Sequence, residues 1–341
     1  MQVNFSLPLS VLDVSPIPSG KTATDALRNT VDLAQHVEAL GFTRYWVAEH
    51  HNAAGLACSA PEILIGQIAA ATRAIRVGAG GIMLPNHTPL KAAETFRVLH
   101  ALFPGRIDLG LGRAAGTDPR TASLLRRAAP QLRGGDDFPD QMNELLSFFE
   151  DGHEPRPAFA RTVRAIPTGI PTPQIWILGS SEYGGAFAAA NGLGFAFAHH
   201  INPADAAATT TKYRAEFQPS QYAEQPHVIL AVSAACAEDD ADVADLSLAA
   251  NLAGLRFARG LRDLPMPSLE EAKAHAWDDE DRALAQASTL RGFIGTRDSL
   301  AADLRALADE CGADELMIMS NRHDHEKRKR SYTLLASAFA A

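Results

Sequence analysis

The chain has 341 residues, 46% of them hydrophobic and 21% charged, with a formal charge of −9 at pH 7. That length exceeds one average domain but fits a single α/β barrel with insertions, and the modest negative charge argues against a nucleic-acid or anionic-membrane surface. Cys58, Cys236 and Cys311 are odd in number and far apart, with no CxxC spacing, which suits a reducing compartment and offers no disulfide or metal framework.

The N-terminus lacks a basic n-region, and Asp13 interrupts its apolar stretch, so no signal peptide is expected. No apolar run approaches a membrane span, and the expectation is a soluble cytoplasmic protein. Residues 9–14 read as a first strand. Residues 24–40 read as a helix with Leu27, Val31, Ala34, Val37 and Leu40 on one face and Gly41 as its stop. Residues 45–48 form a second strand, 61–72 a helix with proline in its first turn, and 75–84 a third strand. Thr88-Pro89 opens a helix that runs to Phe103 and stops at Pro104-Gly105, before a fourth strand at 106–111.

The rhythm then breaks. Residues from about 115 to 170 hold one helix, 140–150, and a loop rich in proline and arginine. It resumes with a strand at 174–178, a small-residue helix at 182–191, a strand at 195–198, a helix at 203–217 and a seventh strand at 228–235. A helix-rich acidic and apolar stretch follows, then a polar, proline-containing segment near 263–290. An eighth strand at 316–319 and a helix at 325–339 close the chain. The basic run Lys327-Arg328-Lys329-Arg330 on that helix reads as a solvated face.

Mostly continuous apolar strands imply a sheet covered on both faces, and intervening helices imply parallel pairing. Eight such strands close a barrel. The expected fold is a (β/α)8 TIM barrel in one domain, 1–341, with insertions after strands 4 and 7 at about 115–170 and 240–292. An open doubly wound sheet is the alternative.

Several strand ends carry chemistry. Glu49-His50-His51 follows the buried second strand, at the end where barrels of this class collect their active sites; a pair of surface or capping histidines is the plainer reading. Gly179-Ser180-Ser181-Glu182-Tyr183-Gly184 runs from a strand straight into a helix, whose unpaired amides and hydroxyls suit a phosphate, or form an ordinary serine cap. Arg113 is a cation at the end of the fourth strand, able to grip a phosphate or to make a rim salt bridge. The glycine-containing stretch around it imitates a dinucleotide fingerprint without the helix such a fingerprint opens. Gly78, Gly80 and Gly81 within one strand suggest close approach of a flat ligand, or tight packing. Glu49-His50-His51, His199-His200 and His323-Asp324-His325 together also suit a metal site, which keeps a metal-dependent barrel hydrolase as a competing class.

Taken together these stretches resemble the bacterial luciferase-like family of flavin-dependent monooxygenases, over nearly the whole chain. The resemblance is carried by residues 46–51 (WVAEHH), 77–87 (VGAGGIMLPNH), 104–113 (PGRIDLGLGR) and 177–181 (ILGSS), then by 293–296 (FIGT) before a helix and 314–318 (DELMI). It implies a (β/α)8 barrel, often a homodimer, with FMN at the carboxyl ends of the strands. By that likeness His50 is the active-site histidine near the reactive edge of the flavin, and Gly80-Gly81 are joined by a non-proline cis peptide behind the ring. Arg113, Ser180, Ser181 and Gly184 match the phosphate end, and Ala48 and Gly179 complete the cofactor set. No metal is implied. Reduced FMN from a separate flavin reductase then serves, with O2, to oxidise a small organic substrate. An F420- or FMN-dependent oxidoreductase of the same fold, such as a flavin reductase, or a protein that binds flavin without known turnover, is the alternative. Ser180-Ser181 stands where luciferases place an acidic residue before the serine, and the segment at about 255–292 is short for their mobile loop, so light emission is not expected. Residues 262–291 are expected to act as a lid; the helix-forming stretches within 269–290 make a static surface helix the alternative.

Overall fold

A computed structural model of the chain describes residues 5–125, 137–149, 162–261, 263–289 and 292–341. Much of the proline- and arginine-rich loop predicted within 115–170 lies outside the described residues, as do 262, 290 and 291 of the expected lid.

The barrel wall is built from β1 (Leu9–Asp13), β2 (Arg44–Val47), β3 (Arg76–Ala79) with its continuation β4 (Ile82–Met83), β5 (Ile107–Gly112), β6 (Gln174–Gly179), β7 (Gly194–Ala198), β8 (Val228–Ala237) and β10 (Glu315–Met319). Pairing runs β10-β1-β2-β3-β5-β6-β7-β8, all parallel, and β8 closes the ring by pairing with β10 from Glu315↔Ile229 to Met319↔Ser233. This is the closed eight-stranded barrel that the strand count predicts. The predicted third strand is two pieces, because the chain breaks at Gly80-Gly81 before β4 takes up pairing with β5. One further strand, β9 (Gly292–Thr296), pairs with the far end of β8 outside the ring.

Helices join the staves: α1 (Ala23–Ala39), α2 (Pro61–Ala71), α3 (Pro89–Leu102), α6 (Glu182–Ala190), α7 (Ala206–Glu216), α11 (Arg297–Glu310) and α12 (His325–Phe339). α1 starts at a capping box of Thr22 and Asp25 and buries Ala26, Thr30, Leu33, Ala34 and Val37. The predicted insertion after the fourth stave holds two described helices rather than one, α4 (Pro119–Leu125) and α5 (Phe138–Phe149). The insertion after the seventh holds α8 (Asp240–Ala258), α9 (Leu269–Ala274) and α10 (Asp279–Thr289). The last two lie in the stretch that reads as helix-forming from the sequence: Ser268 and Glu271 cap α9, and Leu252, Leu255, Ala272 and Ala285 form a small core of their own. The loop before α9 is tied to the loop after β1, with Met266 N–H donating to the Ile17 carbonyl and Ser19 N–H to the Met266 carbonyl, both at 2.8 Å. Among the described residues no helix is long and apolar enough to cross a membrane.

Period-two alternation separates two cores. Val11, Tyr45, Val47, Val77, Phe195 and Phe197 face the helices, while Leu12, Trp46, Ala48, Trp176, Ala196, Ile229 and Met317 fill the barrel. The amino ends of the staves are plugged by charge. Arg44 donates to Asp108 at 2.9 Å and to both oxygens of Glu315 at 3.0 Å, and Trp46 Nε1 donates to Asp108 at 2.9 Å. The basic run on α12 is not wholly a solvated face: Arg328 is buried and donates to Asp13 at 2.9 Å. A helix lying on a barrel turns one side of any four-residue run inward.

Candidate active site

The carboxyl ends of the staves carry the chemistry-bearing residues. Alternation along β2 sends Trp46 and Ala48 into the barrel and directs His50, two residues on, the same way. The His50 amide donates to the Cys58 carbonyl at 3.1 Å, and its Nδ1 is buried without a hydrogen-bond partner among the described residues. Burial lowers its pKa from the ordinary 6.5, against weaker opposing effects of the Ala48 carbonyl and Glu49, so the ring is neutral at neutral pH.

Glu49 belongs to a different network. It is fully buried, and its carboxylate accepts four hydrogen bonds: from the Met83 amide at 2.8 Å, Asn86 Nδ2 at 3.0 Å, His87 Nε2 at 2.9 Å and His51 Nε2 at 2.8 Å. Burial would raise its pKa, but these partners outweigh it and hold the group below the usual carboxylate range. His87 moves the other way: burial lowers its pKa, and the bond to Glu49 more than reverses that. Asn86 also donates to the Ala115 carbonyl at 2.8 Å, and Thr117 Oγ1 to the His51 carbonyl at 2.9 Å. Glu49 therefore ties the end of β2 to β4 and the turn after it, and Asn86 and Thr117 extend the network to the loop after β5. Sequence reasoning assigned no role to Asn86 or His87, although both stand in the stretch that carries the family resemblance.

The Gly80–Gly81 peptide is cis, the geometry the resemblance implies for this pair. A Cβ on Gly81 would sit 2.9 Å from the Gly110 carbonyl oxygen, and one on Gly110 only 2.0 Å from that of Ala79. Backbones here approach too closely for any side chain.

Arg113 and the start of α6 come together, since β5 and β6 are adjacent staves. The Arg113 guanidinium carbon lies 4.1 Å from the ring centroid of Tyr183. Arg113 is exposed, and no described carboxylate pairs with it. Ser181 is the N-cap of α6 in extended conformation, and its side chain makes no capping bond. First-turn amides are thus left to a ligand or to water. Gly179 and Gly184 let strand and helix meet, each Cα lying 3.4 Å from a Cβ built on the other. The Ser180 carbonyl is held by Asn202 Nδ2 at 2.9 Å; Tyr183 and Asn202 were not singled out from the sequence, because their partners are remote in the chain.

The remaining histidines do not gather with Glu49 and His50 into one ligand set. His199 packs against Phe293, His323 Nε2 bonds the Ser19 carbonyl at 2.9 Å, and His325 Nε2 lies 2.8 Å from Asp32. Among the described residues only Asp32, His325 and Glu326 lie close enough to share a metal ion, and they sit on α1 and α12 with Lys329 3.0 Å from Asp32.

Residues 8–315 match the family described as luciferase-like monooxygenase. The chain belongs to that family. It is 37% identical over 330 residues to the luciferase-like monooxygenase of Escherichia coli (strain K12), covering 96% of each chain. It is 40% identical over 332 residues to the uncharacterised protein YvbT of Bacillus subtilis (strain 168), covering 97% and 96%. It is 33% identical to the N-acetyl-S-alkylcysteine monooxygenase of the same organism, covering 98% of each. Among solved structures apo-MsnO8 superposes with a TM-score of 0.88 at 36% identity and covers 98% of both chains. The FMN complex of the oxygenating constituent of 3,6-diketocamphane monooxygenase from Pseudomonas putida (TM-score 0.68, 17% identity, 98% of both chains) shares the fold. So does an F420-dependent secondary alcohol dehydrogenase holding an F420–acetone adduct (TM-score 0.59, 13% identity, 98% and 99%).

Proposed function

We propose that this luciferase-like protein is a monooxygenase that takes reduced FMN at the barrel mouth and, with O2, oxidises a small organic substrate. The observation that carries the reading is Arg113, an exposed cation with no described carboxylate partner, standing over Tyr183 beside the uncapped start of α6. A phosphate fits there: the guanidinium and first-turn amides supply donors, and Ser180 and Ser181 supply hydroxyls. The residues also fit a flat ring. Ala48 and Gly80-Gly81 keep the stave ends beside the mouth small, and His50 offers a neutral imidazole whose buried Nδ1 has no described partner.

When bound, the flavin supplies the activation of O2. This chain's residues do the rest. Arg113, Ser180, Ser181 and the Gly179–Gly184 contact anchor and orient the phosphate. Glu49 fixes the loops that hold His50 and Gly80-Gly81. His50 holds or moves a proton at Nδ1, for which a neutral imidazole is suited. A separate flavin reductase as the source of reduced FMN, and a homodimer, complete the proposal. Ile63, Val98 and Leu102 are 73%, 46% and 65% exposed on α2 and α3 and give the second copy an apolar face.

The test is to purify the protein, identify any retained flavin by mass spectrometry, and then supply FMNH2 from a generic reductase in air with candidate substrates. Tight FMN binding with incorporation of one oxygen atom from O2 is expected. Retention of F420 instead of FMN, or reoxidation of FMNH2 at its free-solution rate, overturns the reading.

A further inference from the structure

Side chains alternate along β7: Ala196 lies in the barrel interior, whereas Phe195 and Phe197 face the helices. The regular ladder ends at Ala198. There the His199 amide turns back to the Phe197 carbonyl at 3.1 Å, and the His200 amide, one residue later than the register of the ladder requires, donates to the Ala231 carbonyl at 3.3 Å. His199 packs on Phe293 of β9, which lies outside the ring, while His200 folds over the carboxyl end of β8. On β2 the same period sends Trp46, Ala48 and His50 inward. In the closed order β1-β2-β3-β5-β6-β7-β8-β10, β2 and β7 are four staves apart and therefore diametrically opposite. His50 and His200 thus stand at the mouth on opposite walls, His200 held on the carbonyl of Ala231, whose side chain lines the interior with Ala48 and Ala196.

The His200 ring is fixed through one nitrogen. Nδ1 lies 3.0 Å from the Ala231 carbonyl oxygen. A carbonyl only accepts, so Nδ1 carries the hydrogen and Nε2 the lone pair. No described residue bonds to Nε2. Burial, aided by His199 beside the ring and His50 across the mouth, outweighs the Ala231 bond and lowers its pKa from 6.5; these two histidines are the titratable groups that act on it among the described residues.

We propose that His200 is a second base of the active site, presenting Nε2 to the molecule that lies between it and His50. Nε2 accepts a hydrogen bond there and takes the proton of an acidic X–H group on that molecule. The X–H bond breaks, its electron pair stays on X, and a new N–H bond forms at Nε2. Nδ1–H remains on the Ala231 carbonyl throughout. The proposal rests on the flavin-site reading for the identity of the ligand, but the state of the ring is testable without it.

Long-range 1H–15N correlation on 15N-histidine-labelled protein free of flavin reads that state directly, with His200→Asn identifying the His200 signals. The Nδ1–H tautomer and a neutral ring at pH 6.5 are expected; an Nε2–H tautomer or a charged ring at that pH overturns the proposal. FMN is then titrated in. The His200 Nε2 signal should move together with those of His50, and movement of His50 alone also overturns it. His200→Asn keeps a side-chain amide to donate to Ala231 while lacking Nε2, so it separates a base from a structural tie. Mixed with FMNH2 and air, it should change the reoxidation rate at least about tenfold and flatten its pH profile. A rate and profile equal to wild type would make His200 scaffold. Absence of FMN binding defeats the flavin reading alone, and the tautomer still decides whether His200 offers a free base.

Discussion

The Glu49 carboxylate accepts the Met83 amide at 2.8 Å, 34 residues away in sequence. That bond, with the Glu49 amide donating to the Gly81 carbonyl at 3.3 Å, pins the end of β2 to the turn that carries Gly80-Gly81. His50 is thereby held beside that turn by backbone, whatever its own side chain does.

Glu49→Gln tests the pin. The glutamine amide nitrogen must face either the Met83 N–H or the Asn86 side-chain amide, and one of these loses its acceptor. An orphaned buried donor costs about 1–3 kcal/mol. Urea unfolding should show a loss of that size, with weaker flavin binding; an unchanged midpoint would mean that Glu49 does not organise the mouth.

The pH dependence of stability follows from His87. Its folded-state pKa is raised above 6.5 by Glu49 despite burial, so its contribution is full below 6.5 and is lost as pH rises through the raised value. Subtracting the urea stability of His87→Asn from that of wild type should give a difference that is largest in mild acid and shrinks as the pH climbs. A difference that grows with pH would reverse the assignment.

Arg113→Ala removes the cation beside α6. A charge-assisted bond contributes about 1.5–3 kcal/mol, so FMN should bind about tenfold more weakly or worse, while riboflavin, which lacks the phosphate, should be affected little. Equal losses for both ligands would move the phosphate elsewhere.

Gly110→Ala places a Cβ 2.0 Å from a backbone oxygen, whereas Gly80→Ala meets first the far end of Leu12, Cδ1 at 2.7 Å. The side-chain tip yields more readily than the carbonyl. Gly110→Ala should therefore cost more stability than Gly80→Ala, by more than the roughly 1–3 kcal/mol of ordinary overpacking. Comparable melting temperatures for the two would contradict the close approach of β3 and β5.

Arg328→Met and Lys327→Ala make a paired test on α12. Removing Arg328 leaves Asp13 charged and buried, which costs about 3–5 kcal/mol. Lys327 is exposed, and its loss should stay within about 0.5 kcal/mol. Similar small effects from both would restore the solvated-face reading of the whole run.

The sequence by itself determined eight staves separated by helices of a 3.6 period, which implies parallel pairing; that the sheet closes into a barrel rather than lying open was decided by the pairing of β8 with β10. It also marked Glu49-His50-His51, Gly80-Gly81, Arg113 and Ser180-Ser181, since each interrupts an apolar pattern at a stave's end. What it left undecided was direction. A doubled histidine reads as one cluster until the fold gives each ring its own partner, as it does for His199, packed on Phe293 outside the ring, and His200, bonded to the Ala231 carbonyl at the mouth. Partnership was equally hidden. Glu49 finds Asn86 and His87, Arg113 finds Tyr183, and Arg328 finds Asp13 only because barrel closure brings separate stave ends and a C-terminal helix together, and no local pattern records a contact between residues so far apart in the chain.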